Sequence, residues 1–177
     1  MKRIELSELP EKDTVLIRVA RKAAENAYAP YSGFAVGAAA RATSGAIYRG
    51  ANLENASYGL SLCAEVSALT AANTSGEYDH IEAIAIVGFN FFPEMHYSEI
   101  ITPCGRCRQL ISESAQVSRT DIDIFACSGD LKRIEHYKIS ELLPKAFGPQ
   151  SLQSSNPAKP SNTKDTSKRL DRLLRKG

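Results

Sequence analysis

FAVGAAARATSGAIYRGANL, residues 34–53, carries the reading that decides the fold. Its two apolar runs, 34–42 and 46–53, are strand-like and flank Thr43-Ser44-Gly45, a small polar trio ending on glycine, so the stretch reads as a β-hairpin. Downstream, CAEVSALTAANT (63–74) carries Ala68, Leu69, Ala71 and Ala72, good formers of a buried helix. IEAIAIVGF (81–89) has β-branched residues in near-alternation and reads as a mostly buried strand. Residues 104–115 then read as a helix, DIDIFAC (121–127) as a strand and ISELL (139–143) as a short last helix. Upstream, Asp13 is placed as the N-cap of a helix with Leu16, Val19, Ala20, Ala23 and Ala27 at helical spacing, ended by Pro30. Strands alternating with helices after an opening hairpin imply the α/β class, as an α/β/α sandwich on a mixed sheet.

A chain of 177 residues, 43% apolar, is long enough for one domain with a real core. Composition shifts after Pro149: SLQSSNPAKPSNTKDTSKR is rich in Ser, Asn, Pro and Lys. The expected organisation is therefore a folded unit over 1–150 and a disordered basic tail over 151–177. A net charge of +2 gives no electrostatic reason to expect nucleic acid or a membrane as partner, and a small neutral substrate suits that balance. No run approaches a membrane span, and MKRIELSELPEKD lacks the apolar centre of a signal peptide, so a cytoplasmic location is expected. In that reducing setting four cysteines point to metal ligation or burial rather than disulfides.

Cys63-Ala64-Glu65 and Pro103-Cys104-Gly105-Arg106-Cys107 each open a helix in this reading. Residues three apart share a face of a helical turn, so Cys104 and Cys107 can reach one ion, and Cys63 can complete a set of three thiolates. Three protein ligands leave one tetrahedral position open to a water whose pKa zinc would lower, the mark of a catalytic rather than a structural site. Glu65, two residues past the first cysteine, is placed as the proton shuttle. The order C-x-E followed by P-C-x-x-C is the three-cysteine form of the zinc nucleobase-deaminase signature. Two other readings stand beside it: small cysteines merely buried in a core, and a closed structural site with Cys127 as fourth ligand. Cys127 ends a strand and reads as buried and inert, and His80, His96 and His136 lack ligand spacing.

Four ordered blocks, AYAPYSGFAVGAA (27–39), GANLENASYGLSLCAE (50–65), TPCGRCRQLI (102–111) and ELLPKAFGPQSL (141–152), resemble the small homotetrameric zinc-dependent cytidine deaminases over most of residues 12–152. The resemblance implies a five-stranded mixed sheet, a Zn2+ cofactor, a cytosine nucleoside as substrate and a homotetramer with shared active sites. It also implies Asn52 and Glu54 on the ribose 3′-hydroxyl, Phe34 lining the base pocket, and the Ala64 backbone on the pyrimidine. Tyr58 and Phe147 resemble residues lent across subunit interfaces.

One departure is informative. Deaminases with three cysteine ligands often carry Arg after the catalytic Glu, to offset the excess thiolate charge, and this chain has Val66. Arg106, inside PCGRC, is the candidate replacement, ahead of Arg108. GRCRQ also resembles blasticidin-S deaminase, an aminonucleoside deaminase, which leaves substrate range open. The rivals are a deaminase of cytosine in polynucleotides and a non-catalytic zinc-binding interaction module. Near-neutral charge, the absence of Trp and the Asn52-Leu53-Glu54 motif speak against the first. The segment FNFFPEMHYSEI (89–100) is longer and more apolar than a connector needs, and reads either as a wall of the pocket or as a subunit contact.

Overall fold

Alanine and glycine dominate the hairpin, and they decide how closely the helices approach it. In the computed structural model, which describes residues 2–92 and 99–152 (backbone only at 2 and 3), the order is β1 (Lys2–Ile4), α1 (Glu11–Ala24), β2 (Phe34–Ala42), β3 (Ile47–Ala51), α2 (Ala64–Thr74), β4 (Ile81–Asn90), α3 (Gly105–Ser118), β5 (Asp123–Ser128), β6 (Ile134–Lys138) and α4 (Ile139–Leu142). The sheet order is β1-β6-β5-β4-β2-β3. Only the β4·β5 pairing is parallel, and the four others are antiparallel. Strands β2 to β6 are the expected five-stranded mixed sheet, and the short β1 extends it along β6.

Alternation along β2 and β4 divides the core. Ala38, Ala40, Ile84 and Ile86 pack with Ala64, Ala68, Leu69 and Ile111 on the face covered by α2 and α3. Ala39, Ala83, Ala85 and Val87 pack with Leu16, Ile17 and Ala20 of α1 on the other face. A Cβ at Gly50 would stand 2.4 Å from the Ala64 carbonyl oxygen, and one at Gly37 would stand 2.1 Å from that of Ala20. Glycine thus lets α2 and α1 lie directly on the sheet from opposite sides.

The hairpin, α2, β4, α3, β5 and α4 lie where expected, and four differences have physical causes. The N-cap of α1 is Pro10, whose carbonyl accepts from Asp13 and Thr14 (3.0 Å each). Asp13 sits inside the first turn, buried, and its carboxylate meets the Arg41 guanidinium at 2.8 Å. The helix ends at Ala24, short of Pro30, because the chain turns so that the Tyr28 N–H donates to the Asn52 carbonyl at 3.0 Å. Strand β6, IEHYK, has Ile134 as its one aliphatic residue, and on the opposite face Glu135 is buried and takes its hydrogen bond from the Tyr137 hydroxyl. Strand β1 is three residues long, below what periodicity can signal. The turn Pro149–Leu152 carries the described fold just past residue 150. Residues 153–177 and residues 93–98 of the 89–100 segment, with His96, lie outside the described residues.

Candidate active site

Helices α2 and α3 begin side by side, each with a cysteine as N-cap: Cys63 for α2 and Cys104 for α3. The turn leading into α3 crosses the carboxyl end of β4 at Gly88. A Cβ there would stand 2.7 Å from Ile101 Cγ1 and 2.9 Å from Phe34 Cε1, so glycine makes room for both side chains.

The Sγ atoms of Cys63, Cys104 and Cys107 all lie within 4.8 Å of one another, with Cys63 and Cys104 3.9 Å apart. Thiolates on one tetrahedral zinc sit about 3.8 Å apart, given Zn–S bonds of about 2.3 Å. Soft sulfur donors at this spacing fit zinc. Cys107 is buried, Cys63 half-buried and Cys104 exposed, so the cluster is open on one side. Among the described residues no fourth Cys, His, Asp or Glu joins the group. Cys127 lies in the core beneath α1, on the opposite face of the sheet, its thiol pushed up to about 12 by burial. That removes the closed four-cysteine alternative. His80 lies 3.6 Å from Asp79 and His136 2.7 Å from Asp123, both away from the thiols.

Glu65 stands in the first turn of α2 with 4% of its surface exposed. Burial raises its pKa and the negative charge of Cys63 adds to that, while hydrogen bonds from its own backbone N–H and from the Cys107 thiol oppose it. Hydrogen bonding from Cys107 brings Cys63 down to about 6 against the effect of burial, with help from Cys104 and the positive charge of Arg106. The same bond, together with burial and the Glu65 charge, pushes Cys107 up. The shared bond thus favours ionisation at Cys63 over Cys107, and metal binding releases the thiol protons that remain.

Asn52 and Glu54 reach this corner through the backbone. Leu53 and Leu62 exchange two hydrogen bonds of 2.9 Å each, which sets the 52–54 segment beside the residue preceding Cys63. The Asn52 side chain is already engaged: Nδ2 donates to the Phe34 carbonyl at 2.9 Å and Oδ1 accepts from the Val36 N–H at 2.8 Å. It pins the start of β2, and with it Phe34, while keeping one spare N–H. Glu54 Oε2 accepts from the backbone N–H groups of Tyr31 (2.9 Å) and Ser32 (3.2 Å). These bonds, with the Ser32 hydroxyl as the largest contributor, hold its pKa below the ordinary value.

Arg106 is exposed and donates to the Ser61 carbonyl at 3.4 Å, close enough for its charge to act on Cys63. Arg108 instead braces the ligand turn, donating to the carbonyls of Pro103 (2.8 Å) and Leu142 (3.1 Å). Ala64 is fully buried at the start of α2. Tyr58 and Phe147 are 74% and 61% exposed, so packing in the chain's own core accounts for neither.

The cytidine and deoxycytidylate deaminase zinc-binding region matches residues 10–122, which include the three clustered cysteines and Glu65. The chain belongs to this family. The deaminase-family chain is 42% identical over 138 residues to the cytidine deaminase of Halalkalibacterium halodurans, covering 78% of itself and 96% of that protein. With the Mycobacterium tuberculosis cytidine deaminase it shares 35% identity over 149 residues, 81% of itself and 96% of that protein. The crystal structure of the Burkholderia pseudomallei cytidine deaminase superposes with a TM-score of 0.62 at 39% identity, over 75% of this chain and 97% of that one. Zinc is accordingly the cofactor of this deaminase-family chain, and the donor chemistry of its clustered thiols agrees.

Reading along the sequence missed several contributors to the site. The N–H groups of Tyr31 and Ser32, the brace at Arg108 and the clearance at Gly88 act through backbone geometry, which residue type does not report. The one available signal was Gly33 in PYSGF, which adopts φ +64°, a conformation that favours glycine.

Proposed function

We propose that this chain hydrolytically deaminates cytidine and 2′-deoxycytidine to uridine and 2′-deoxyuridine, releasing ammonia. The observation that carries the reading is a buried carboxyl, Glu65, beside three converging thiols that are open on one side. Relatives named cytidine deaminase that match nearly end to end support the substrate class.

Cys63, Cys104 and Cys107 hold the zinc in this reading. Bound there, zinc lowers the pKa of a water so that it can serve as the nucleophile near neutral pH. Glu65 takes the proton of that water and delivers it to N3 of the cytosine ring as the C4–O bond forms. Glu65 then takes the proton of the new C4 hydroxyl and passes it to the exocyclic amine, the C4–N bond breaks as the C4=O bond forms, and ammonia leaves. Phe34 lines the base pocket, the Ala64 backbone meets the pyrimidine, and Glu54 accepts from the 3′-hydroxyl. Asn52 adds its spare N–H to that hydroxyl while anchoring Phe34. Three thiolates leave about one excess negative charge on a divalent ion, which Arg106 offsets through space.

Self-association completes the site in this proposal. Tyr28, Leu53 and Leu62 lie on adjacent bridged backbones, and Tyr31 and Tyr58 approach ring to ring at 5.7 Å, all of them exposed. Such a patch suits a homotetramer in which Tyr58 and Phe147 serve a neighbour's pocket. A cytoplasmic location accompanies this reading; among the described residues no helix is long and apolar enough to cross a membrane.

The deciding experiment measures uridine release and zinc content together. Glu65→Gln is expected to keep its zinc and lose about 10²–10⁴-fold in kcat. Turnover at the wild-type rate would remove Glu65 from the mechanism. Free cytidine, a cytosine-containing oligonucleotide and blasticidin S, assayed side by side, separate nucleoside from polynucleotide and aminonucleoside activity.

A further inference from the structure

Phe92 is more than half exposed, yet its ring is placed with care. A Cβ on Gly33 would stand 2.7 Å from Phe92 Cε2 and 3.3 Å from Cδ2, so the ring edge occupies the space that a side chain at residue 33 would need. Two more bonds hold this contact. The Phe91 N–H donates to the Gly33 carbonyl at 2.8 Å, and the Phe92 N–H donates to Asn90 Oδ1 at 3.0 Å. Asn90 is the residue of β4 that pairs with Phe34. The segment just past β4 therefore clamps the 29–33 turn, which closes on itself through the Gly33 N–H to the Ala29 carbonyl at 3.0 Å.

That turn is the one whose Tyr31 and Ser32 N–H groups occupy Glu54 Oε2. We infer that Phe92 is a positioning residue for sugar recognition: by locking Gly33 it fixes the two amides that hold Glu54, keeping the carboxylate's other oxygen in place for a nucleoside hydroxyl. The inference rests on the reading of Glu54 as the 3′-hydroxyl acceptor. Core packing is a poor account of so exposed a ring, whereas a clamp needs only its edge. The effect is selective, because a loosened Glu54 weakens only substrates that present the hydroxyl.

The test assays wild type, Phe92→Ala and Glu54→Gln on cytidine and on 3′-deoxycytidine, which lacks the hydroxyl. A hydrogen bond to a charged acceptor gives wild type a preference of roughly tenfold or more for cytidine in kcat/KM. Phe92→Ala is expected to cut that preference at least threefold, through KM on cytidine, with kcat nearly unchanged. Faster hydrogen exchange at the Tyr31 and Ser32 amides should accompany it, and Phe92→Leu, which keeps apolar bulk over Gly33, should restore both. If wild type and Glu54→Gln show the same lack of preference, the reading of Glu54 fails and this inference with it. If Glu54→Gln loses the preference while Phe92→Ala keeps it in full with unchanged amide exchange, the inference alone is overturned.

Discussion

Gly50→Ala tests how the sheet positions the chemistry. A methyl at residue 50 would lie 2.4 Å from the Ala64 carbonyl oxygen, 2.4 Å from the Ala68 nitrogen and 2.7 Å from Ser67 Cβ. Ordinary contact begins near 3.4 Å, so the first turns of α2 must retreat by about 1 Å. Overpacking of this kind costs about 1–3 kcal/mol. For a chain of this size that lowers Tm by roughly 2–12 °C. The displaced turn carries Cys63, Ala64 and Glu65, and a shift of about 1 Å at reacting groups costs on the order of 100-fold in rate. Gly37→Ala is the matched control. Its methyl would lie 2.1 Å from the Ala20 carbonyl oxygen and 2.4 Å from the Ala24 nitrogen, pushing α1 away on the opposite face. Thermal melts, zinc per chain and kcat per folded molecule are then compared. Both variants should lose stability, and Gly50→Ala alone should lose rate and zinc. Wild-type kcat and zinc in Gly50→Ala, or equal losses in both variants, would refute the reasoning.

The other expectations concern charge. Arg41 is 5% exposed and bonded to Asp13 (2.8 Å), Glu82 (2.6 Å) and the Lys12 carbonyl (2.8 Å). Arg41→Met should therefore cost about 3–5 kcal/mol in urea denaturation by stranding buried Asp13, with kcat of the folded fraction unaltered. Arg106→Gln should weaken zinc binding about tenfold in chelator competition, more severely at lower pH, because its charge favours the Cys63 thiolate. Equal affinities would remove that role. Glu54 is held below the ordinary value of 4.5, so its bonds to the 31–32 turn stabilise the fold fully above that value. The stability difference between wild type and Glu54→Gln should stay level at neutral pH and shrink only as pH falls below about 4.5. A difference that instead grows in acid would contradict the sign.

Much of the candidate site was legible along the chain because it is local. Cys104 and Cys107 share a helical face by spacing, Glu65 follows its cysteine by two residues, and Thr43-Ser44-Gly45 dictates the hairpin. The α-helices and the central β4 and β5 announce themselves through composition and period, since burial on both faces demands apolar residues throughout. Strand β6 hid because a buried Glu135 satisfied by Tyr137 breaks the pattern that reading relies on.

Tertiary structure decided the rest. Cys63 and Cys104, 41 residues apart, come within 3.9 Å only because glycines at 50 and 88 let helix and turn settle on the sheet. Residue type gave Asn52 and Glu54 polar groups, but which of those groups remain for a substrate depends on bonds to Phe34, Val36, Tyr31 and Ser32. Whether Cys127 belonged to the sulfur cluster was settled by which face of the sheet it points from. Spacing within one element is set by the backbone's own geometry; distance between elements is set by packing, which no single stretch of sequence contains.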